Sequence, residues 1–291
     1  MQQQHDRRTT YFGVAVMWFV GGSIYPFLSN VAEKVDPLNV ILIRSIGAAL
    51  ILLVAVLIID PTSFKKIKFD RTLIPIVVAS MMFSPICSGA LAWSSGRIPG
   101  ALSALMYSTL PAMATIYLIV QKKSPSKKSI IGVLIASVAV VFLVGAPQGP
   151  VQTAGVLAAL LSVFAWFAAT EIWIKYETGY PLILAIFLQV AIGALGTVLV
   201  HLFLNPPAIT AEQIFDPSML FLIVALASQY WAYLGISRRV SPAVLTSFAF
   251  VNPVVAGAIG YFAFDQQVSA IQLVAGALLL SGVFLVVRED L

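Results

Sequence analysis

From Ile46 to Ile59 the chain contains no polar side chain, and the apolar run that holds this stretch begins at Val40. About 20 consecutive apolar residues are needed for a helix to cross ~30 Å of hydrocarbon. Transmembrane barrel strands instead alternate apolar and polar residues over ~10 positions, and this run does not alternate. Runs of this kind recur along the whole chain. We place ten, over 12–32, 38–59, 72–94, 98–120, 130–146, 152–174, 181–203, 217–236, 242–263 and 269–287. The expected fold is an all-α membrane protein of ten transmembrane helices. With 60% apolar and 10% charged residues and a mean hydropathy of +0.97, a soluble domain could not solvate its own surface.

The connectors carry turn chemistry at Asp36-Pro37, Asp60-Pro61, Ala146-Pro147, Asn205-Pro206-Pro207 and Asp216-Pro217, and none is long enough for a soluble domain. The net charge of +5 is spread over short connectors rather than one basic face, so nucleic acid is not an expected partner. With the N-terminus inside, Arg7, Arg8, Lys65, Lys66, Lys68, Arg71, Lys122, Lys123, Lys127, Lys128, Lys175, Arg238, Arg239 and Arg288 gather on the inner side. Lys34 and Arg97 fall outside, and Arg44 lies within the second span. This bias places both termini in the cytoplasm. The first run is full length and lacks a small-residue cleavage site, so it is expected to be retained as a helix. The single cysteine, Cys87, allows no internal disulfide.

The two halves resemble each other. At an offset of 142, Arg97, Ala101 and Pro111 meet Arg239, Ala243 and Pro253. At an offset of 144, Gly132, Leu134 and Ser137 meet Gly276, Leu278 and Ser281. Trp18 and Trp166 take comparable places in spans one and six. Residues 1–148 and 149–291 are thus read as two five-helix repeats. Five is odd, so the second repeat must cross the membrane inverted. Inverted repeats suit alternating access, with a substrate site where the halves meet. Duplication as scaffold history alone is the plainer alternative.

These features resemble the EamA-type branch of the drug/metabolite transporter superfamily, over nearly the whole chain. The resemblance rests on the five-plus-five layout, Met17-Trp18-Phe19-Val20-Gly21-Gly22-Ser23 in span one, and Arg44 in span two. It rests also on the Ala-rich approaches to Pro111 and Pro253, and on closing helices that begin near Gly132 and Gly276. Asp265 stands where such chains often have Glu. The resemblance implies a cavity lined by spans one, three, four, six, eight and nine. It also implies spans five and ten at the side, where a homodimer would form, and cargo such as amino acids, other metabolites or drugs, moved outward across a bacterial inner (plasma) membrane.

Within that frame the candidate substrate-binding residues are Trp18, Ser23, Tyr25, Tyr107, Trp166, Gln229, Tyr230 and Asn252. Amides in hydrocarbon need partners, so Gln229 and Asn252 should point inward, to hold substrate or to tie helices together. Aromatic faces stack on flat solutes and hold cations; Trp93 and Trp173, near helix ends, read instead as interfacial belt residues. Pro111 and Pro253 each remove a helical hydrogen bond, for gating or for a fixed kink. Glu171 is the carboxylate set inside a span, a functional candidate by position, with Lys175 four residues on as a structural partner. Arg44 has two readings: attracting a carboxylate, or snorkelling or bonding to backbone carbonyls.

No phosphate-binding GxxxxGK[ST] loop, HExxH or GxSxG occurs. His5 and His201 stand apart. No cofactor, metal site or catalytic residue is expected. The expected function is secondary transport of a small organic metabolite, an amino acid or an aromatic or amine compound. The alternatives are an intramembrane enzyme acting on a lipid-linked substrate, which would call for paired carboxylates or His, and a channel, which would call for a charged ring or filter loop.

Overall fold

A computed structural model describes residues 2–32, 34–95, 97–98, 106–144, 152–176, 178–264 and 270–290. Ala101, the Ala146-Pro147 connector and Asp265 lie outside them, as do the side chains of Arg7 and Arg288. The described residues form helices and connectors, without strands. The helices are α1 (Gln2–Ala32), α2 (Pro37–Ile59), α3 (Ile74–Met81), a π-helical turn (Met82–Ser88) continuing into α4 (Gly89–Ser95), α5 (Leu110–Val120), α6 (Lys127–Val144), α7 (Thr153–Lys175), α8 (Leu182–Leu204), α9 (Ala211–Phe215), α10 (Pro217–Ile236), α11 (Pro242–Thr246), α12 (Phe248–Phe264) and α13 (Ala270–Asp290).

Among the described residues, seven helical stretches are long and apolar enough to cross a membrane: Arg8–Leu28, Pro37–Ile59, Arg71–Ser94, Thr153–Lys175, Leu182–Leu204, Pro217–Ile236 and Pro242–Phe262. Shorter apolar helices, Leu110–Val120, Ile130–Phe142 and Leu273–Leu285, fall where the fourth, fifth and tenth spans are expected. The 11 residues of α5 cover only about 16 Å. Two Asp-Pro connectors start helices by the same chemistry. Asp36 accepts from the Leu38 amide at the head of α2, and Asp216 from Ser218 and Met219 at the head of α10, with proline in the first turn, where its missing N–H is no loss.

The pattern of exposure fixes the solvent. Ile58 is 77% exposed, Phe203 87% and Phe262 83%, while Asn39 is 0%, Gln189 1%, Gln229 5% and Asn252 3% exposed. A protein in water would place these groups the other way round; in lipid the apolar side chains face out and the polar ones turn inward. The chain is a multi-pass membrane protein.

Small residues set the helix spacing. α1 packs on α10 and α12, α2 on α8 and α10, α7 on the π turn and α4, and α6 on α13. A Cβ added at Gly22 would stand 2.4 Å from Val255 Cβ, and one at Gly282 would stand 2.8 Å from the Gly132 carbonyl oxygen. α1–α12 and α6–α13 therefore touch almost backbone to backbone. In the third span Pro85 sits inside the π turn. Its ring Cγ and the Met81 thioether would meet a Cβ at Gly196 at 3.2 and 2.7 Å, so the bulge is pressed onto α8.

Candidate functional site

Side chains from spans one, three, four, six, eight and nine converge on one buried cluster. Span one brings Trp18, whose Nε1 donates to Ser247 Oγ of span nine at 3.0 Å. It also brings half-buried Tyr25, beside Asn252. Gly21 lies between them, and a Cβ there would sit 2.9 Å from Asn252 Oδ1 and 3.2 Å from Gln229 Nε2. The missing side chain lets two amides, from α10 and α12, approach the backbone of α1. Gln229 Oε1 and Asn252 Oδ1 are buried without a hydrogen-bond partner.

A second group joins spans three, four and six. The Tyr107 hydroxyl and Ser162 Oγ are hydrogen-bonded to each other, and Cys87 Sγ lies 3.3 Å from both. Ser162 Oγ donates to the Cys87 carbonyl at 2.8 Å, a carbonyl of the irregular π turn. Such turns recur at functional sites because they turn backbone groups aside from the regular ladder.

Aromatic rings fill the middle. Trp166 Nε1 donates to the Tyr233 hydroxyl at 3.1 Å, and Thr170 Oγ1 lies 2.8 Å from the same hydroxyl. Phe83 meets Trp166, Tyr230 and Tyr233 edge-on at 4.9, 5.7 and 6.5 Å between centroids. Phe248 closes the group against Trp166 at 5.9 Å and Tyr233 at 5.6 Å. Edge-to-face packing of this kind holds rings in fixed orientations. The expected mid-depth hollow is thus occupied by rings in mutual contact. A cavity of about 350 Å³ lies instead at one end of the bundle, between Thr115, Leu118, Lys123 and Ser126 of the first half and Ser241 and Ala243 of the second.

The other candidates distribute as follows. Ser23 turns back onto its own helix and donates to the Phe19 carbonyl at 2.6 Å. Pro111 stands in the first turn of α5, and Pro253 stands inside α12. Arg44 is 9% exposed, with Nε buried and unpaired; it neither snorkels out nor bonds a described carbonyl. Glu171 is half-buried on α7 and does not pair with Lys175. Tyr117 of α5 and Lys123 are the groups that act on its carboxyl, while the Lys175 ammonium lies 5.4 Å from the Tyr176 ring. Trp93 fits the interfacial belt: it is 45% exposed and the Arg97 guanidinium stacks on it at 3.6 Å. Trp173 does not. It is 4% exposed, beneath Arg238, whose Nη2 donates to the Trp173 and Tyr176 carbonyls at 2.7 and 3.0 Å. That guanidinium satisfies the last carbonyls of α7, and the ring is buried with it.

Phe83, Ser162 and Gln189 belong to the buried core but carried no signal in the sequence: a lone Phe, Ser or Gln inside an apolar run is compatible with any face. Gln189 is 1% exposed, and its Oε1 has no partner. Among the described residues no group of His, Cys, Asp and Glu is placed to hold a metal ion.

Comparison with known proteins adds fold and a distant relative. No family model matches the chain. A solved crystal structure, described only as that of a protein, superposes with a TM-score of 0.75 at 16% identity, over 95% of this chain and 96% of that one. The two share a fold along their whole length. Protein PecM of Dickeya dadantii (strain 3937) is 23% identical over 202 residues, which is 67% of each chain. The chain is therefore similar to PecM, and its helical membrane fold is shared with a solved structure.

Proposed function

We propose that this chain is a secondary transporter of the drug/metabolite type, EamA-like, that moves a small organic metabolite by alternating access between two inverted five-helix repeats. Ten spans would then cross a bacterial inner membrane, with both termini in the cytoplasm. The observation that carries the reading is the polar and aromatic cluster. Residues of six spans, three from each half, meet inside a molecule whose exterior is apolar. In lipid such groups are retained where they face a path or a ligand. The end-on cavity between the halves, facing the cytoplasm in this orientation, fits an inward opening from which cargo would reach the cluster for export. A homodimer through the outer faces of α6 and α13 belongs to the same proposal.

Flux into proteoliposomes tests it. A carrier shows saturation and counterflow, a channel shows neither, and an enzyme moves no solute. Absence of counterflow across a broad panel of amino acids, aromatic acids and amines would sink the reading.

A further inference from the structure

We infer that Arg44 is the recognition group for a carboxylate on the transported solute, so that the cargo is a small organic acid rather than an amine. The inference rests on the transport reading above and narrows it.

Arg44 lies on α2, inside a span of mean hydropathy 2.8. Its side chain is 9% exposed, and Nε is fully buried with no hydrogen-bond partner. No ion pair or hydrogen bond of its guanidinium reaches a described residue. Arginine keeps its charge under all ordinary conditions, so the group cannot shed the charge as a buried lysine would. An uncompensated buried charge is strongly unfavourable, and one left by removing a partner destabilises a protein. Among the described residues, the ionisable groups that act on it are Tyr230, Cys87 and Tyr107. None of these is an acid at neutral pH.

The carboxylates with described side chains are committed elsewhere. Asp36 and Asp216 cap helices. Asp60 pairs with Lys66, Asp70 holds Thr72, and Glu171 faces Tyr117 and Lys123. Glu212 is exposed on short α9. No described side chain neutralises Arg44, and its neighbours Tyr107 and Tyr230 belong to the central cluster. The planar guanidinium fork matches a carboxylate with two parallel N–H donors. A visiting acid would complete the site, and would leave it again, as a fixed internal partner would not.

Two other buried atoms of the central cluster are without a partner and have the opposite polarity. Gln229 Oε1 and Asn252 Oδ1 are acceptors without donors. A solute with a carboxylate at one end and an N–H or O–H donor at the other satisfies both sets at once.

The test uses matched solutes that differ only in the carboxylate: phenylalanine and phenylalaninamide, benzoate and benzamide, lactate and lactamide. Thermal shift of the purified full chain reads binding, since a ligand of the folded state raises its melting temperature. Counterflow in proteoliposomes reads transport. The expected result is that at least one acid binds about tenfold or more tightly than its amide, the loss expected when a hydrogen bond to a charged group is removed. Arg44→Gln should abolish that preference, and Arg44→Lys should retain part of it. Equal response to acids and amides, no response to any acid, or an acid preference that survives Arg44→Gln would each overturn the inference. If Arg44→Gln is not monodisperse, the wild-type acid-to-amide ratio and Arg44→Lys decide the matter. Acid-selective binding without counterflow would leave Arg44 in place and remove the transport reading. Counterflow of amides and amines with no acid preference would do the reverse.

Discussion

Spans four and nine carry proline at the same place in the two repeats, yet the prolines do different things. Pro111 stands in the first turn of α5, where a proline N–H would have had no partner. The helix is interrupted just before it, at Ser108 and Thr109, with the Thr109 amide bonded to the Met106 carbonyl at 3.1 Å. Pro253 sits inside α12, where it leaves the Ala249 carbonyl without its helical donor. The break in span nine comes earlier, at Ser247, between α11 and α12. Ser247 Oγ donates to the Val244 carbonyl at 2.6 Å and accepts the Trp18 indole at 3.0 Å. Thr109, by contrast, is exposed, and its hydroxyl bonds along its own helix, to the Met106 carbonyl at 2.7 Å and the Met113 thioether at 3.9 Å. The bend of the second repeat is thus held at Ser247 by a side chain of the first, whereas the Thr109 hydroxyl bonds only along its own helix. Equal sequence position gives equal helix chemistry, but the load on each bend depends on what crosses it.

The largest expected effect comes from forcing span nine away from span one. Gly22→Leu places its side chain into Val255, and overpacking of this kind costs about 1–3 kcal/mol or more. We expect loss of monodisperse protein in fluorescence-detected size exclusion. Gly257→Ala, on the same span nine but with open space at its Cβ, should be tolerated. A Gly22→Leu protein as stable as Gly257→Ala would show that the α1–α12 contact does not hold the span.

Next come the groups that the two bends enclose. Gln229→Ala and Trp166→Ala should each lower flux by about tenfold, the first by removing an unpaired amide that a solute would meet, the second by removing a ring and its bond to Tyr233, while the protein remains folded and inserted. Normal flux in both variants would remove them from the site.

A smaller effect separates the prolines directly. Pro111→Ala restores an N–H at a position that needs none, so flux and melting temperature should barely change. Pro253→Ala restores an interior helical bond and should alter transport more than Pro111→Ala does. The opposite ranking would break the comparison between the spans.

The smallest effect lies outside the membrane. Hydrogen bonding from Thr62, with Lys66 nearby, holds the Asp60 carboxyl below its ordinary value of 3.8. A carboxyl depressed by folding contributes stability above its unfolded value, and that contribution is lost as pH falls through the folded one. Asp60→Asn should therefore lower the melting temperature slightly near neutral pH, with the difference from wild type vanishing on acidification below the carboxylate range. A difference that is constant with pH would assign the effect to packing.

Apolar run length and turn chemistry made much of this architecture legible. The apolar runs mark where helices lie because a bilayer accepts only segments that satisfy their own backbone. The Asp-Pro connectors mark helix starts because cap and proline chemistry are local. The side-chain partners were not legible. Local spacing paired Glu171 with Lys175, but helix packing brought Tyr117 and Lys123 to it instead. Position near a helix end assigned Trp173 to the interface, yet Arg238 covers it from the turn after α10.

The chain alone determined its solvent and where most of its helices lie, because each follows from interactions within a few turns of one segment. The tertiary structure alone decided that Trp18 holds Ser247, 229 residues away, that Gly21 admits two amides, and that Arg44 is buried without a counter-charge among the described residues. Those outcomes depend on which helix faces meet. In an all-round apolar helix no hydrophobic stripe marks a face in advance, so only the packed bundle selects one.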